Sequence, residues 1–396
     1  MKADRRELPS ETMELQMGPS HPATHGTIKF NLKLEGEKVL DCDVEVGYLH
    51  RGFAKSCEQA TWTQVIPYTD RLNYASPLIN NVGYALAVEK LLGIETPLRC
   101  QFIRVIMSEL SRIFDHLTCC GMASSELGGI TAGFYMMEAR EQLTRIIEEV
   151  TGARLTVTYA RIGGVKHDLP HDFEERVTHA FQIVKKLLTD CDRLLSRNRI
   201  FIDRMSDVAV ISQEMAVTYG LTGPILRSTG INYDVRKAQP YLVYDQLDFD
   251  VPLGIKGDNY DRFVCRIQEI DQSMRIVEQA LSKIPLGAVS LDDPSIVLPE
   301  KEKVYNSIEG LMHHFKIIME GLHVPPGEVY QAVEGGNGEL GFYLVSDGGG
   351  KPYRIRVRPP CFIAMSAFHE MIEGHMMADI IPTFGMINMI GGECDR

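Results

Sequence analysis

The chain has no pair of cysteines spaced C-x-x-C. Its nine cysteines, at positions 42, 57, 100, 119, 120, 191, 265, 361 and 394, are scattered and odd in number. That pattern offers neither a disulfide framework nor a cluster-binding motif, and it suits a reducing compartment. Long hydrophobic runs are also missing. The longest uncharged apolar stretch, Ile380 to Gly392, is too short to cross a bilayer and contains Pro382 and several glycines. Any membrane association is therefore expected to come through a partner. Met1 to Met13 mixes both charge signs and lacks an apolar core, so no signal peptide is expected there. A basic excess is absent as well: 41 Lys and Arg stand against 53 Asp and Glu, for a net charge of -12. This argues against a nucleic-acid surface and against a polybasic lipid-binding face. Internal repeats, low-complexity tracts and obvious flexible linkers are lacking too, so the parts are expected to pack as one body, in the cytoplasm.

What remains is the composition of an ordinary folded protein, with 396 residues of which 44% are hydrophobic and 24% charged. That length can bury a sizeable core and hold two or three structural domains. Ile28, Phe30, Leu32 and Leu34 alternate up to Glu35-Gly36-Glu37, and Leu40, Cys42, Val44, Val46 and Tyr48 alternate after it. Period two around a glycine turn predicts a β-hairpin with one buried face. From about Ser76 the period becomes helical. Phe102 to Leu117, Met136 to Val150 and Phe173 to Leu188 carry apolar residues at three- and four-residue steps, the last after a helix start predicted at Asp168-Leu169-Pro170. Phe263, Ile267, Ile270, Met274, Val277, Leu281 and Ile284 form the longest such stripe. Helices of this kind need one another, which predicts a bundle. Leu221 to Gly257, rich in Gly, Pro, Tyr and Asp, reads as irregular chain over the bundle surface. Val304 to Leu322 predicts one further helix. Strands are then expected over 329–333, 341–346 and 353–357.

Two motifs mislead. Gly336-Asn337-Gly338-Glu339-Leu340-Gly341 matches G-x-G-x-x-G, but it leads into a strand pattern instead of opening a helix, so a turn is the better reading. His369-Glu370-Met371-Ile372-Glu373-Gly374-His375 puts Glu where a metalloprotease helix needs its second His, and a solvated helix face explains it better. His313-His314 likewise reads as a surface or core-edge pair.

Gly18-Pro19-Ser20-His21-Pro22-Ala23-Thr24-His25-Gly26 places two histidines four apart in a loop that enters a strand. Imidazoles on a rigid loop are candidates for proton chemistry. On pattern alone, a capped turn with two surface histidines explains the loop better.

This loop, together with Gly47-Tyr48-Leu49-His50-Arg51-Gly52, resembles the paired signature of the D-type, quinone-site subunit of complex I. Thr69-Asp70-Arg71-Leu72-Asn73-Tyr74, Ala85 to Gly93, Arg227 to Arg236, Gly338 to Gly341, Ser346 to Gly349 and Arg354 to Pro360 agree in order, so the resemblance spans nearly the whole chain. It implies an α+β fold like the large subunit of nickel–iron hydrogenases: a central bundle of long helices, an N-terminal β-hairpin element and a C-terminal mixed α/β region. The expected parts are 1–75, 76–290 and 291–396. Those hydrogenases hold their metal with two C-x-x-C pairs. The matching positions here are Asn73, Ser76 and, approximately, Ile390 and Glu393, none of them a thiolate. No metal is therefore expected.

The resemblance further implies that the emptied cavity receives a quinone headgroup held by His25 and Tyr74, with Glu126 as the carboxylate that links quinone chemistry to proton pumping. Arg71 is implied to face a [4Fe-4S] cluster, and an interface salt bridge explains it equally well. Relatives commonly carry Asp at 126, Pro at 132 and His at 156, where this chain has Glu126, Ala132 and Thr156. The 361–388 segment, which the resemblance implies borders the pocket, also departs from the common pattern, so an unusual substrate preference is expected. The implied function is that of a peripheral-arm subunit of a respiratory NADH-quinone oxidoreductase, with no cofactor of its own, on the cytoplasmic side of the cell membrane. Its implied partners are a cluster-carrying small subunit, a 30-kDa-type (C-type) subunit, a membrane-arm quinone-channel (H-type) subunit and the quinone, with NADH and FMN in distant subunits. The rivals are a membrane-bound hydrogenase-like or ferredoxin- or deazaflavin-dependent complex, and a purely structural paralogue.

Overall fold

The computed structural model describes residues 12–396; the expectation about Met1 to Met13 concerns residues nearly all outside that range. The N-terminal sheet is antiparallel, with strands β1 Thr12–Met17, β2 Lys29–Glu35 and β3 Lys38–Glu45 in that order across it. β2 and β3 form the predicted hairpin, and Phe30, Leu32 and Leu34 are its buried face. The alternation read for the second strand fails at its start. Lys33 pairs with Asp41 but Leu34 pairs with Val39, which leaves Leu40 as the extra residue of a bulge. Val39 is buried in its place. Val46 and Tyr48 lie beyond the strand and are exposed. β1 was not foreseen, although Met13, Leu15 and Met17 alternate as an edge strand should.

The bundle consists of α1 Pro77–Leu92, α2 Leu98–Glu126, α3 Ile130–Thr151, α4 Phe173–Leu195 and α5 Asn259–Lys283. α2 is central, packed against α1, α3 and α5. Its apolar stripe is buried, and so are Arg104, Glu109, Arg112, Asp115 and His116 on its other faces. Such a helix survives inside a core only if its polar groups are satisfied: Arg104 pairs with Glu89, Arg112 with Glu109 and His116 with Glu269, and Asp115 accepts from two asparagine amides. α4 begins at Phe173, five residues after Asp168, with Glu174 and Glu175 in its first turn, where acidic side chains suit the helix dipole. The single helix expected from Val304 to Leu322 is two: Lys301–Asn306 and α6 Ile308–Met319. Ser307 separates them in an extended conformation, and its Oγ accepts from the Gly310 N–H at 2.9 Å, a cap that ends one helix and starts the next.

Strands β4 Gly327–Gly335, β5 Gly338–Ser346 and β6 Arg354–Arg358 form a second antiparallel sheet in that order. Gly336 and Asn337 make the turn between β4 and β5, as expected for the G-x-G-x-x-G stretch. His369 sits in a five-residue helix, Phe368–Ile372, with a half-exposed side chain. The irregular 221–257 stretch holds only short helical turns. Near the C-terminus lies α7, Ile380–Ile387.

The architecture is thus α+β, with a helical core and small sheets. Three hydrophobic cores organise the described residues. One fills the bundle. Another joins β2 and β3 to residues 361–394, and a third joins the 53–92 segment to β4–β6. Both ends of the described chain are therefore anchored to the same body. No helix among the described residues is long and apolar enough to cross a membrane.

Candidate functional site

The 18–26 loop is tied down by its own residues. Thr24 is buried, and its Oγ1 donates to the carbonyls of His21 at 3.0 Å and Pro19 at 3.1 Å. Gly18 has a φ of +87°, and a Cβ there would lie 2.3 Å from the Ile28 carbonyl oxygen, so only glycine fits. His25 closes the Pro22–Thr24 turn in the left-handed region, at φ 54°. A residue with a Cβ takes that conformation at a cost of roughly 1–2 kcal/mol. There its Nε2 lies 3.5 Å from Glu126 Oε1, and its ring meets Phe384 edge-on, centroids 5.5 Å apart. Glu126 is the last residue of α2, so the longest bundle helix carries the carboxylate to the loop histidine.

Tyr74 comes from the segment between the short helix Ile66–Thr69 and α1. Its hydroxyl has no hydrogen-bond partner among the described residues. Burial, and then the proximity of Cys361 and Asp115, push its pKa above the usual 10. His25, Tyr74 and Glu126 line one cavity of about 240 Å³, together with Phe114, Cys119, Arg140, Phe384 and residues 388–390. Of the two loop histidines only His25 reaches it; His21 spends its Nδ1 accepting from the Ala23 N–H at 3.2 Å.

A buried polar network adjoins this cavity. Asp115 accepts from the amides of Asn73 at 3.0 Å and Asn388 at 2.8 Å. Asn388 also donates to Asn337 at 2.6 Å, and the Asn337 amide reaches Cys361 Sγ at 3.2 Å. The Cys361 thiol donates to Glu393 at 3.1 Å. Burial pushes the Glu393 carboxyl up to about 7. Asn73 and Glu393, which stand where the resemblance leads one to look for thiolates, thus meet in one hydrogen-bonded set. Of the other two such positions, Ser76 is buried and Ile390 lines the cavity.

Arg71 is exposed and does not line the cavity. Its Nη1 donates to the Pro67 carbonyl at 2.6 Å, and its own carbonyl accepts from Arg51 Nη2 at 2.6 Å. Burial, then the charge of Arg71, lower the Arg51 pKa. Thr156 is exposed. Ala132 is buried, its carbonyl accepting from the Cys191 thiol at 3.4 Å.

Sequence reasoning missed Phe114, Arg140 and Asp115, whereas Phe384 and Asn388 belong to the C-terminal segment that the resemblance implies borders the pocket, and both line the cavity. Phe114 reads as ordinary core. Arg140 sits among charges in Glu138-Ala139-Arg140-Glu141 and reads as part of a solvated face. Asp115, inside a stretch whose apolar stripe predicts burial, was a visible signal of a buried polar partner.

Residues 126–396 match the model of a family described as the 49 kDa subunit of the respiratory-chain NADH dehydrogenase. Over 391 residues the chain is 56% identical to the D-type subunit numbered 1 of the NADH-quinone oxidoreductase of Sorangium cellulosum, covering 98% of this chain and 97% of that one. It is 54% identical over 389 residues to the D-type subunit of the Myxococcus xanthus NADH-quinone oxidoreductase, covering 98% and 94%. A third relative, the C/D-type subunit of the same oxidoreductase in Bdellovibrio bacteriovorus, is 48% identical over 389 residues, which are 98% of this chain and 70% of that longer one.

Proposed function

This chain belongs to the 49 kDa subunit family of the respiratory-chain NADH dehydrogenase, and we propose that, as the D-type subunit of an NADH-quinone oxidoreductase, it receives the quinone headgroup in the cavity between His25, Tyr74 and Glu126. The observation that carries this reading is the convergence of those three side chains on one cavity from segments far apart in the chain.

Reducing a quinone to its hydroquinone takes two electrons and two protons. The electrons come from a [4Fe-4S] cluster in a neighbouring small subunit, which NADH reduces through FMN in distant subunits. The protons come from this chain. The Tyr74 hydroxyl is free to donate to one carbonyl oxygen, and the imidazole of His25 serves the other. Glu126, 3.5 Å from His25, stabilises the protonated ring and senses its charge when the proton leaves. That change of charge is the link to proton translocation.

The network through Asn73, Asp115 and Glu393 replaces the thiolate cage of a hydrogenase-like ancestor. Arg71, beside Arg51 on the surface, faces the cluster of the small subunit. The longer C/D-type relative supports the 30-kDa-type subunit as a neighbour. The quinone-channel subunit of the membrane arm anchors the assembly on the cytoplasmic side of the cell membrane.

Tyr74→Phe tests the reading, because it removes one proton and little volume. In the assembled complex, quinone reduction should fall about 100-fold or more, while NADH still reduces the clusters. Unchanged turnover would leave the chain a scaffold.

A further inference from the structure

Arg140 lines the same cavity and is used by none of the chemistry above. It belongs to α3, and its guanidinium lies over the Phe114 ring, 4.3 Å from the centroid. No carboxylate among the described residues lies within ion-pair distance of it. Its one side-chain hydrogen bond is a long contact, 3.6 Å, to the sulfur of Met137. The other ionisable groups lining the cavity are His25, Tyr74, Cys119 and Glu126, so Arg140 is the only permanent cation among the described lining residues. Glu141 and Arg154 are the charged groups that act on it from outside the cavity, with opposite signs.

Resting on the quinone reading, we propose that Arg140 is a further substrate-stabilising residue, a fixed cation that holds the negative charge on the headgroup oxygens between the arrival of electrons and of protons. The overall step balances: quinone, two electrons from the neighbouring iron–sulfur cluster, the Tyr74 hydroxyl and imidazolium of His25 give hydroquinone, tyrosinate and neutral imidazole. An electron reaches the ring before the proton that neutralises it, and a tyrosinate remains until it is re-protonated. Both states add an anion to a cavity whose other fixed charge, Glu126, is already negative. A guanidinium stacked on an aromatic face keeps its charge while shedding much of its hydration, so its field acts at close range in a poorly screened site.

The test compares Arg140→Lys with Arg140→Met in the assembled complex. The two replacements have similar length, and only one is charged. With a short-chain benzoquinone as substrate, R140K should stay within a few-fold of the parent, and R140M should lose about 10- to 100-fold in kcat with a much smaller change in KM. A second readout does not depend on turnover. An alkylated 2-hydroxynaphthoquinone, anionic at neutral pH, should outcompete its uncharged 2-methoxy analogue, and R140M should abolish that preference. If R140M does not assemble, Arg140→Gln serves as the neutral member of both comparisons. Equal kcat in the charged and neutral variants, or an undiminished preference for the anionic probe, would overturn the proposal. Should Tyr74→Phe and His25→Ala also leave turnover intact, the quinone reading itself fails; if they abolish it, only the role of Arg140 falls.

Discussion

At position 393 a carboxyl group is buried against a thiol and a backbone N–H, with Asp115 close enough to oppose its ionisation. Its pKa rises from an ordinary 4.5 to about 7 because burial penalises the charged form. The consequence for stability has a definite sign. A carboxyl whose folded pKa exceeds its unfolded pKa supports the fold fully below about 4.5, and that support is lost as pH rises through 7. A shift of that size corresponds to about 3 kcal/mol. Glu393→Gln keeps the shape and one acceptor oxygen but cannot ionise, so its thermal stability should hardly change between about pH 5 and pH 8, where the parent loses stability. Parallel curves for the two proteins would show that another group titrates. At the same scale, His25 and Tyr74 were legible only through family resemblance. By pattern the one is a turn histidine and the other a half-exposed aromatic, and nothing local says that they share a cavity.

Elements were more legible than residues. Helices α2, α3 and α5 appear where the apolar stripes put them, because period 3.6 is a property of the local chain and survives any packing. The errors are local too. The break at Ser307 came from a side-chain cap competing with helix continuation, and the bulge at Leu40 came from one extra residue in a strand. The β4–β5 turn explains why its glycines mimic a nucleotide motif. A Cβ on Gly336 would lie 2.1 Å from Asp115 Oδ2, and one on Gly338 would meet Thr222 Oγ1 at 2.5 Å. These glycines admit neighbouring groups; they do not cradle a phosphate. Gly336→Ala should therefore push Asp115 out of its amide pair and cost about 1–3 kcal/mol, seen as a lower urea midpoint. A stability unchanged from the parent would mean that the turn moves aside freely.

The whole molecule is stitched together by buried ions as well as by its three cores. Glu269 on α5 accepts from Arg227 Nε at 2.8 Å and Nη2 at 2.5 Å, and it pairs with His116 of α2 at 2.8 Å. Arg227 reaches on to Glu334 of β4 at 2.8 Å. Glu109 pairs with Arg112 and Arg236, and Arg236 with Asp234. One ionic web thus joins two bundle helices, the irregular 223–236 stretch and the second sheet. Burial opposes the Glu269 charge, but Arg227 and His116 outweigh it and hold the carboxyl well below the usual range. Glu269→Ala leaves a buried guanidinium without its nearest partner and should cost about 3–5 kcal/mol, read from thermal or urea unfolding. A loss below about 1 kcal/mol would show that Glu334 and Asp234 alone satisfy Arg227.

The sequence by itself determined the long helices, the hairpin and the glycine turns, because each follows from periodicity and backbone preference within a short window, and family resemblance added the α+β class. It also excluded a disulfide scaffold and a membrane-spanning run. Only the tertiary structure decided that residues 25, 74, 126, 140 and 384 border one cavity, and that residues 73, 115, 388 and 393 share one polar network. Those groups lie far apart along the chain, and their meeting depends on how three cores lock α2, α7 and the N-terminal loop against one another. That is a property of packing, which no local window of sequence contains.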